Sequence, residues 1–150
     1  MIYSEQEHID SPEEELKRAD HLVFVSLKYT RTCDVMRNAI QRLINAFEMG
    51  ITIYLENQKK TKKISEVPVS IKEKIERTKK LLGNKFKKYL ILYNILKKIE
   101  KADHCDIDEF RKNVTLRTTG PNPIEVKMVT LLAYLDATKD FVKFIRSEMR

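Results

Sequence analysis

Glycine and proline are scarce in this chain of 150 residues, which contains three glycines, four prolines and no tryptophan. Sandwiches and barrels need many tight turns, so this composition disfavours both and favours long helices. No apolar run approaches the roughly 20 residues that a bilayer span requires. The acidic N-terminus lacks the features of a signal peptide, and the only cysteines, Cys33 and Cys105, form no close-spaced pair. We therefore expect a reduced, cytoplasmic protein.

Apolar residues recur at intervals of three and four along most of the chain, which predicts an all-α, up-and-down bundle of four to five long helices in a single domain. Residues 1–10 are expected to be disordered or extended. Ser11-Pro12, followed by three glutamates, predicts the start of the first helix. We expect that helix to break at Thr30-Arg31-Thr32, with Thr32 capping the next one; the alternative is a single helix from 12 to about 57.

Polar and glycine-containing segments divide the second half of the chain. Residues 58–69 predict a basic loop, and Ser70 predicts the start of a helix that Gly83-Asn84 ends or bends. Asp106 could cap a short helix, and Asn122-Pro123 are expected to begin the last long one. We expect more than half of all residues to be helical, with no sheet beyond a short pair of strands.

Sequence motifs for metal and nucleotide chemistry are absent. The chain has no CxxC, HExxH or phosphate-binding glycine loop, and "DHCDID" lacks the glycine and distal glutamate of a calcium-binding EF-hand. In "RTTGPNP", Arg117, Thr118 and Thr119 precede an expected helix start where a phosphate could bind, although a polar loop and a helix cap explain the same residues. We therefore expect no cofactor and no metal.

Positive charge is concentrated in one segment. Residues 58–101 contain fifteen lysines and arginines against four acids, a net charge of +11, whereas the whole chain carries +7. If the helix continues past Gly83, one stripe of it carries cations and an amide. This stripe could contact nucleic acid or could simply be solvated. Its residues are Lys80, Lys87, Asn94, Lys98 and Lys101.

A second candidate site lies in "KYTRTCDVMRNAIQRL", where cations occur beside an apolar helical stripe. Helical projection places Arg42 toward solvent and Arg37 on the flank of the core, with Asp34 as a possible ion-pair partner. The favoured interpretation is a structural ion pair. The alternative is an enzyme whose inter-helix cleft binds an anion or a nucleotide through Arg31, Asp34, Arg37 and Asn38.

Two helices carry more apolar residues than one buried stripe requires. The surplus residues are Leu22, Val25 and Tyr29 on the first helix and Val129, Leu132, Phe141 and Phe144 on the last. This surplus predicts a homodimer.

The succession of "ADHLVFVSLKYTRT", "CDVMRNAIQRLINAFE" and "EVKMVTLLAYLDATKDFVKFI" resembles the HEPN superfamily of small prokaryotic helical bundles. The resemblance implies a dimer and an RNA or protein partner. Active members of that family are ribonucleases with an arginine followed, after four to six residues, by a histidine. This chain has no such pair, so no catalytic residue is carried over. We therefore expect a non-enzymatic interaction module that binds RNA or a partner protein.

Overall fold

The computed structural model describes residues 10–149, and 69% of it is helical. The first helical segment comprises α1 (Pro12–His21), a π-helical turn (Leu22–Ser26) and α2 (Leu27–Thr30). Four longer helices follow: α3 (Cys33–Lys60), α4 (Ile71–Leu82), α5 (Asn84–Lys101) and α6 (Met128–Ser147). The predicted all-α bundle is confirmed. The extended or disordered segment expected at 1–10 lies outside the described residues, apart from Asp10.

The predicted helix starts at Ser11, Thr32 and Ser70 are confirmed. Each hydroxyl accepts a hydrogen bond from the backbone N–H three residues later, at 3.1, 3.4 and 3.2 Å respectively. Such caps satisfy amides that have no partner within the helix. The predicted break before Thr32 is also confirmed, because α2 ends at Thr30 and Arg31 adopts the left-handed conformation. The single helix from 12 to 57 is therefore wrong.

Three predicted boundaries are wrong. Helix α3 continues to Lys60, so the basic loop begins at Thr61 rather than at residue 58, and Gln58 is buried within the helix. Asp106 caps no short helix, because it lies in strand β1 (His104–Ile107). The last helix begins at Met128 and not at Pro123, because the residues between them form the last strand of a small sheet.

This antiparallel sheet has the order β1, β2 (Thr115–Thr118) and β3 (Glu125–Val126), one strand more than expected. His104 pairs with Thr118 in the first ladder, and Leu116 pairs with Val126 in the second. Thr118 closes the turn to β3: its N–H donates to the carbonyl of Ile124 at 2.9 Å, and its hydroxyl accepts from the Ile124 N–H at 2.8 Å. "RTTGPNP" is thus a strand end and a turn, not the start of a helix.

Helix α3 is the centre of the bundle and packs against the first helical segment, α5 and α6. The rings of Phe47 and Phe141 stack at 4.4 Å between centroids, with Tyr93 and Phe86 tilted around them. A Cβ at Gly50 would lie 3.1 Å from the Phe141 ring, so the missing side chain allows α6 to approach α3 closely. Tyr93 is buried, as expected for a core residue, and its hydroxyl donates to Glu48 at 2.7 Å.

Candidate functional site

The predicted cleft is only partly assembled. Asp34, Arg37 and Asn38 line a groove of about 500 Å³ between α3 and α5, to which α5 contributes Ile99 and Glu100. Arg31 does not line this groove. It has a left-handed backbone, and its carbonyl accepts the Phe110 N–H at 2.8 Å from the turn that follows β1. Arg37 forms an ion pair with Asp34, as the structural interpretation predicted. One arginine against two carboxylates makes the groove a poor anion site.

Arg42 was predicted to face solvent. It instead contacts a carboxylate of the first helical segment. Its Nη1 lies 3.3 Å from Oε2 of Glu15, whose side chain is only 3% exposed. Glu15 also accepts hydrogen bonds from Arg18 at 3.0 Å and from Asn45 at 2.9 Å. A buried carboxylate needs such partners, so this network joins α1 to α3. The sequence offered no direct signal for it, because 27 residues separate Glu15 from Arg42.

The predicted basic stripe is interrupted at Gly83. This residue has φ +61° and ψ −137°, a conformation that strains residues with a Cβ, and it separates α4 from α5. Lys80 therefore belongs to α4, and only the remainder of the stripe lies along one exposed face of α5. We call this face the lysine face; its residues are Lys87, Ile91, Asn94, Lys98 and Lys101.

The cations of the lysine face are unneutralised. Within residues 10–149, Lys87, Lys98 and Lys101 form no ion pair, whereas Lys85 and Lys97 on other sides of α5 contact Glu148 and Glu100. Beside the face, an open groove of about 410 Å³ runs between α4 and α5. Its floor contains Leu90 and Ile91, and Lys79, Lys87 and Asn94 are among the other residues that line it. The arrangement combines cations, amides and an apolar floor, which suits a polyanion with flat apolar groups.

A third cluster joins the sheet to α3. Potential metal-ligand atoms lie within 4.8 Å of one another in the side chains of Cys33, Asp106 and Glu109. Each group also has a protein partner: Glu109 accepts the Cys33 N–H at 2.8 Å, the Cys33 thiol donates to the Thr115 carbonyl, and Asp106 lies 3.2 Å from His104. Burial, followed by the negative charge of Asp106, raises the pKa of the Cys33 thiol to about 12. These contacts join the start of α3 to the segment around β1 and β2.

The comparisons with known proteins assign no family to this fold. No family model matches the chain, and neither curated proteins nor solved structures include a significant match. In the described part of the chain, no helix combines the length and the apolar character needed to cross a membrane.

Proposed function

We propose that this chain is a non-enzymatic module that binds RNA through the lysine face of α5. The observation that carries this proposal is the exposure, along one side of α5, of three lysines that form no ion pair within residues 10–149. By helical rise, Lys87 and Lys101 are about 21 Å apart, so the face can contact several consecutive phosphates. Lysines hold phosphates as point charges and release condensed counterions, which makes such binding favourable at low salt.

Further elements of the proposal follow from the sequence. They are a HEPN-like relationship, a cytoplasmic location and a homodimer, the last supported by the exposed apolar side chains of Val25 and Val129. Of the other residues named for that interface, Tyr29 is also exposed, Phe141 lies in the core, and Leu22, Leu132 and Phe144 are partly buried against the core. The alternative function, an enzyme with an anion-binding cleft, has weaker support because the groove beside Arg37 is net negative.

The experiment compares two charge-removal variants by fluorescence anisotropy with a labelled oligoribonucleotide over a range of salt concentrations. In the first variant, Lys87, Lys98 and Lys101 are each replaced by Gln. The matched control carries Lys59→Gln, Lys60→Gln and Lys63→Gln, which removes the same charge at the end of α3 and in the loop after it.

The slope of log affinity against log salt should fall in the first variant by about 0.7 for each lost phosphate contact, roughly 2 in total. The control should retain most of the wild-type slope. Equal losses of slope in both variants would mean that binding depends on net charge alone. No loss of slope in the first variant would refute the lysine face as the site.

A further inference from the structure

Two exposed aromatic residues lie near the start of α3. Tyr29 is 82% exposed and Phe110 is 74% exposed, although aromatic side chains normally contribute to a core. The Phe110 N–H donates to the carbonyl of Arg31, two residues after Tyr29, at 2.8 Å. By chain geometry, the Cα atoms of Tyr29 and Phe110 are at most roughly 14 Å apart. The fold thus presents two exposed aromatic side chains in one region of the surface.

The backbone around Phe110 adopts uncommon conformations at an energetic cost. Phe110 has φ +68°, and Arg31 and Asp108 have φ +51° and +53°. A left-handed conformation is uncommon for residues other than glycine and is strained for a bulky one. Because most of the Phe110 side chain remains in water, hydrophobic burial returns little of that cost. Strain of this kind concentrates at binding sites, where the surrounding structure maintains it.

Basic residues flank the two aromatic residues in the sequence. Lys28, Arg111 and Lys112 are exposed and form no ion pair among the residues the structure describes. Arg31 adds a half-buried guanidinium whose Nε has no hydrogen-bond partner there. The nearest carboxylates in sequence are Asp34, Asp106, Asp108 and Glu109, and three of them already have partners: Asp34 pairs with Arg37, Asp106 lies beside His104, and Glu109 accepts the Cys33 N–H. Among residues 10–149, cations without a partner therefore outnumber acids without one on this aromatic–basic surface, which consists of Lys28, Tyr29, Arg31, Phe110, Arg111 and Lys112.

We infer that the aromatic–basic surface binds an unpaired polynucleotide strand, with bases stacked on Tyr29 and Phe110 and phosphates on the surrounding cations. Stacking requires bases that are free of a partner strand, and the flat rings accept any of the four bases. This inference rests on the proposed function and specifies its ligand as single-stranded. Folded duplexes offer the cations the same phosphates but leave no base for the rings.

The lysine face leads toward this surface. The groove that contains Ile99 and Glu100 of α5 also contains Asp34 and Arg37 of α3, so the C-terminal end of α5 lies beside the N-terminal end of α3. Arg31 directly precedes that end of α3, and Phe110 is bonded to it. A strand that follows the lysine face from Lys87 to Lys98 and Lys101 therefore ends at the same end of the bundle as the two rings.

The test measures stacking separately from charge. A single-stranded oligouridylate that contains the fluorescent base 2-aminopurine reports stacking by quenching, and inorganic polyphosphate supplies phosphates without bases. Tyr29→Ala and Phe110→Asn should each weaken oligouridylate binding at least about fivefold and reduce the quenching, since one stacked base contributes a factor of this size or larger. Asparagine tolerates the left-handed backbone, so the second variant removes the ring without adding strain. Polyphosphate binding should not change in either variant.

Two controls make the outcome decisive. Tyr29→Phe keeps the ring and should bind like wild type, and Val69→Ala removes an equally exposed apolar group elsewhere and should have no effect. Unchanged affinity and quenching in Tyr29→Ala and Phe110→Asn would overturn the inference and leave the lysine face intact. Conversely, loss of quenching in these variants, with wild-type binding in the variant of Lys87, Lys98 and Lys101, would support the aromatic–basic surface and refute the proposed function.

Discussion

Glu15 and Arg42 lie on different helices, and their side chains meet: Nη1 of Arg42 is 3.3 Å from Oε2 of the buried Glu15 carboxylate. Arg37, five residues earlier on α3, instead pairs with Asp34, which is largely exposed. The two arginines have similar exposures, 41% and 44% of their side chains. Their partners differ: water can solvate Asp34 but not the buried Glu15 carboxylate. We expect this difference to set how much each arginine contributes to the free energy of unfolding.

Replacing Arg42 by Ala should therefore lower the free energy of unfolding more than replacing Arg37. Removing one partner of a buried carboxylate leaves part of its charge uncompensated, and we expect a loss of about 1–3 kcal/mol, moderated by the remaining contacts with Arg18 and Asn45. The exposed pair of Arg37 should contribute at most about 1 kcal/mol. Urea denaturation of both variants measures the difference, and equal losses would contradict the importance of Glu15 burial.

Gly50→Ala should destabilise the protein even though alanine favours helices. The helical preference contributes about 1 kcal/mol in favour of alanine. However, the new Cβ would lie 3.1 Å from the Phe141 ring, which is fixed by Phe47, Phe86 and Tyr89. Overpacking of a core costs about 1–3 kcal/mol, so the net effect should be a loss of up to about 2 kcal/mol. With Phe141→Leu in the background, the same substitution should become neutral or stabilising in a double-mutant cycle.

The two thiols should differ strongly in reactivity. Cys105 is exposed, whereas Cys33 is buried and its pKa is raised to about 12. At pH 8, four units lower, roughly one Cys33 thiol in ten thousand is ionised, and the thiolate is the reactive form. One equivalent of an aromatic disulfide reagent should react rapidly in the native protein, and the second only after unfolding. Cys105→Ser should abolish the rapid phase, while Cys33→Ala should leave it unchanged.

Acid should weaken the contact between the first and last helices. Arg146 donates to both oxygens of Glu13 at 2.8 Å, and this hydrogen bonding lowers the pKa of Glu13 below its ordinary value of 4.5. A carboxyl with a lowered folded-state pKa stabilises the protein above pH 4.5, and this contribution is lost as the pH falls through the folded pKa.

Arg146→Gln should therefore reduce the free energy of unfolding at pH 7 by at most about 1 kcal/mol, since the pair is half-exposed. Its difference from wild type should shrink as the pH falls below 4.5 and disappear once Glu13 is protonated in both proteins. Denaturation curves at several pH values measure this convergence. A difference that stays constant with pH would show that Arg146 acts through packing alone.

Local chemistry allowed much of the fold to be predicted from the sequence. The starts at Ser11, Thr32 and Ser70 depend on one hydroxyl and a backbone amide three residues away, so a short segment contains the whole signal. The position and the third strand of the sheet were not predicted, because pairing of His104 with Thr118 joins residues from separate segments, and "DHCDIDEFRKN" also suits a helix cap. Only the tertiary pairing distinguishes a strand from a helix cap in this segment.

The candidate sites were less predictable for the same reason. A projection of α3 alone places Arg42 opposite the core stripe, but it cannot show that α1 covers that side with Glu15. Likewise, Phe110 is an ordinary residue in the sequence, and its exposure follows from a left-handed backbone next to a distant helix end. The stripe from Lys87 to Lys101 was predictable because all its members lie on one helix.

The π-helical turn at Leu22–Ser26 holds one extra residue without rotating the helix that follows it. The Leu27 N–H bonds to the carbonyl of Leu22, five residues back, so the turn accommodates one more residue than an α-helix would. Deleting one residue from this turn should therefore restore regular α-helical hydrogen bonding and leave Leu27–Thr30 in nearly their present phase, whereas a deletion from a regular α-helix shifts the residues that follow by about 100°. In the shortened chain, Leu27 should stay in the core and Tyr29 should stay at the surface.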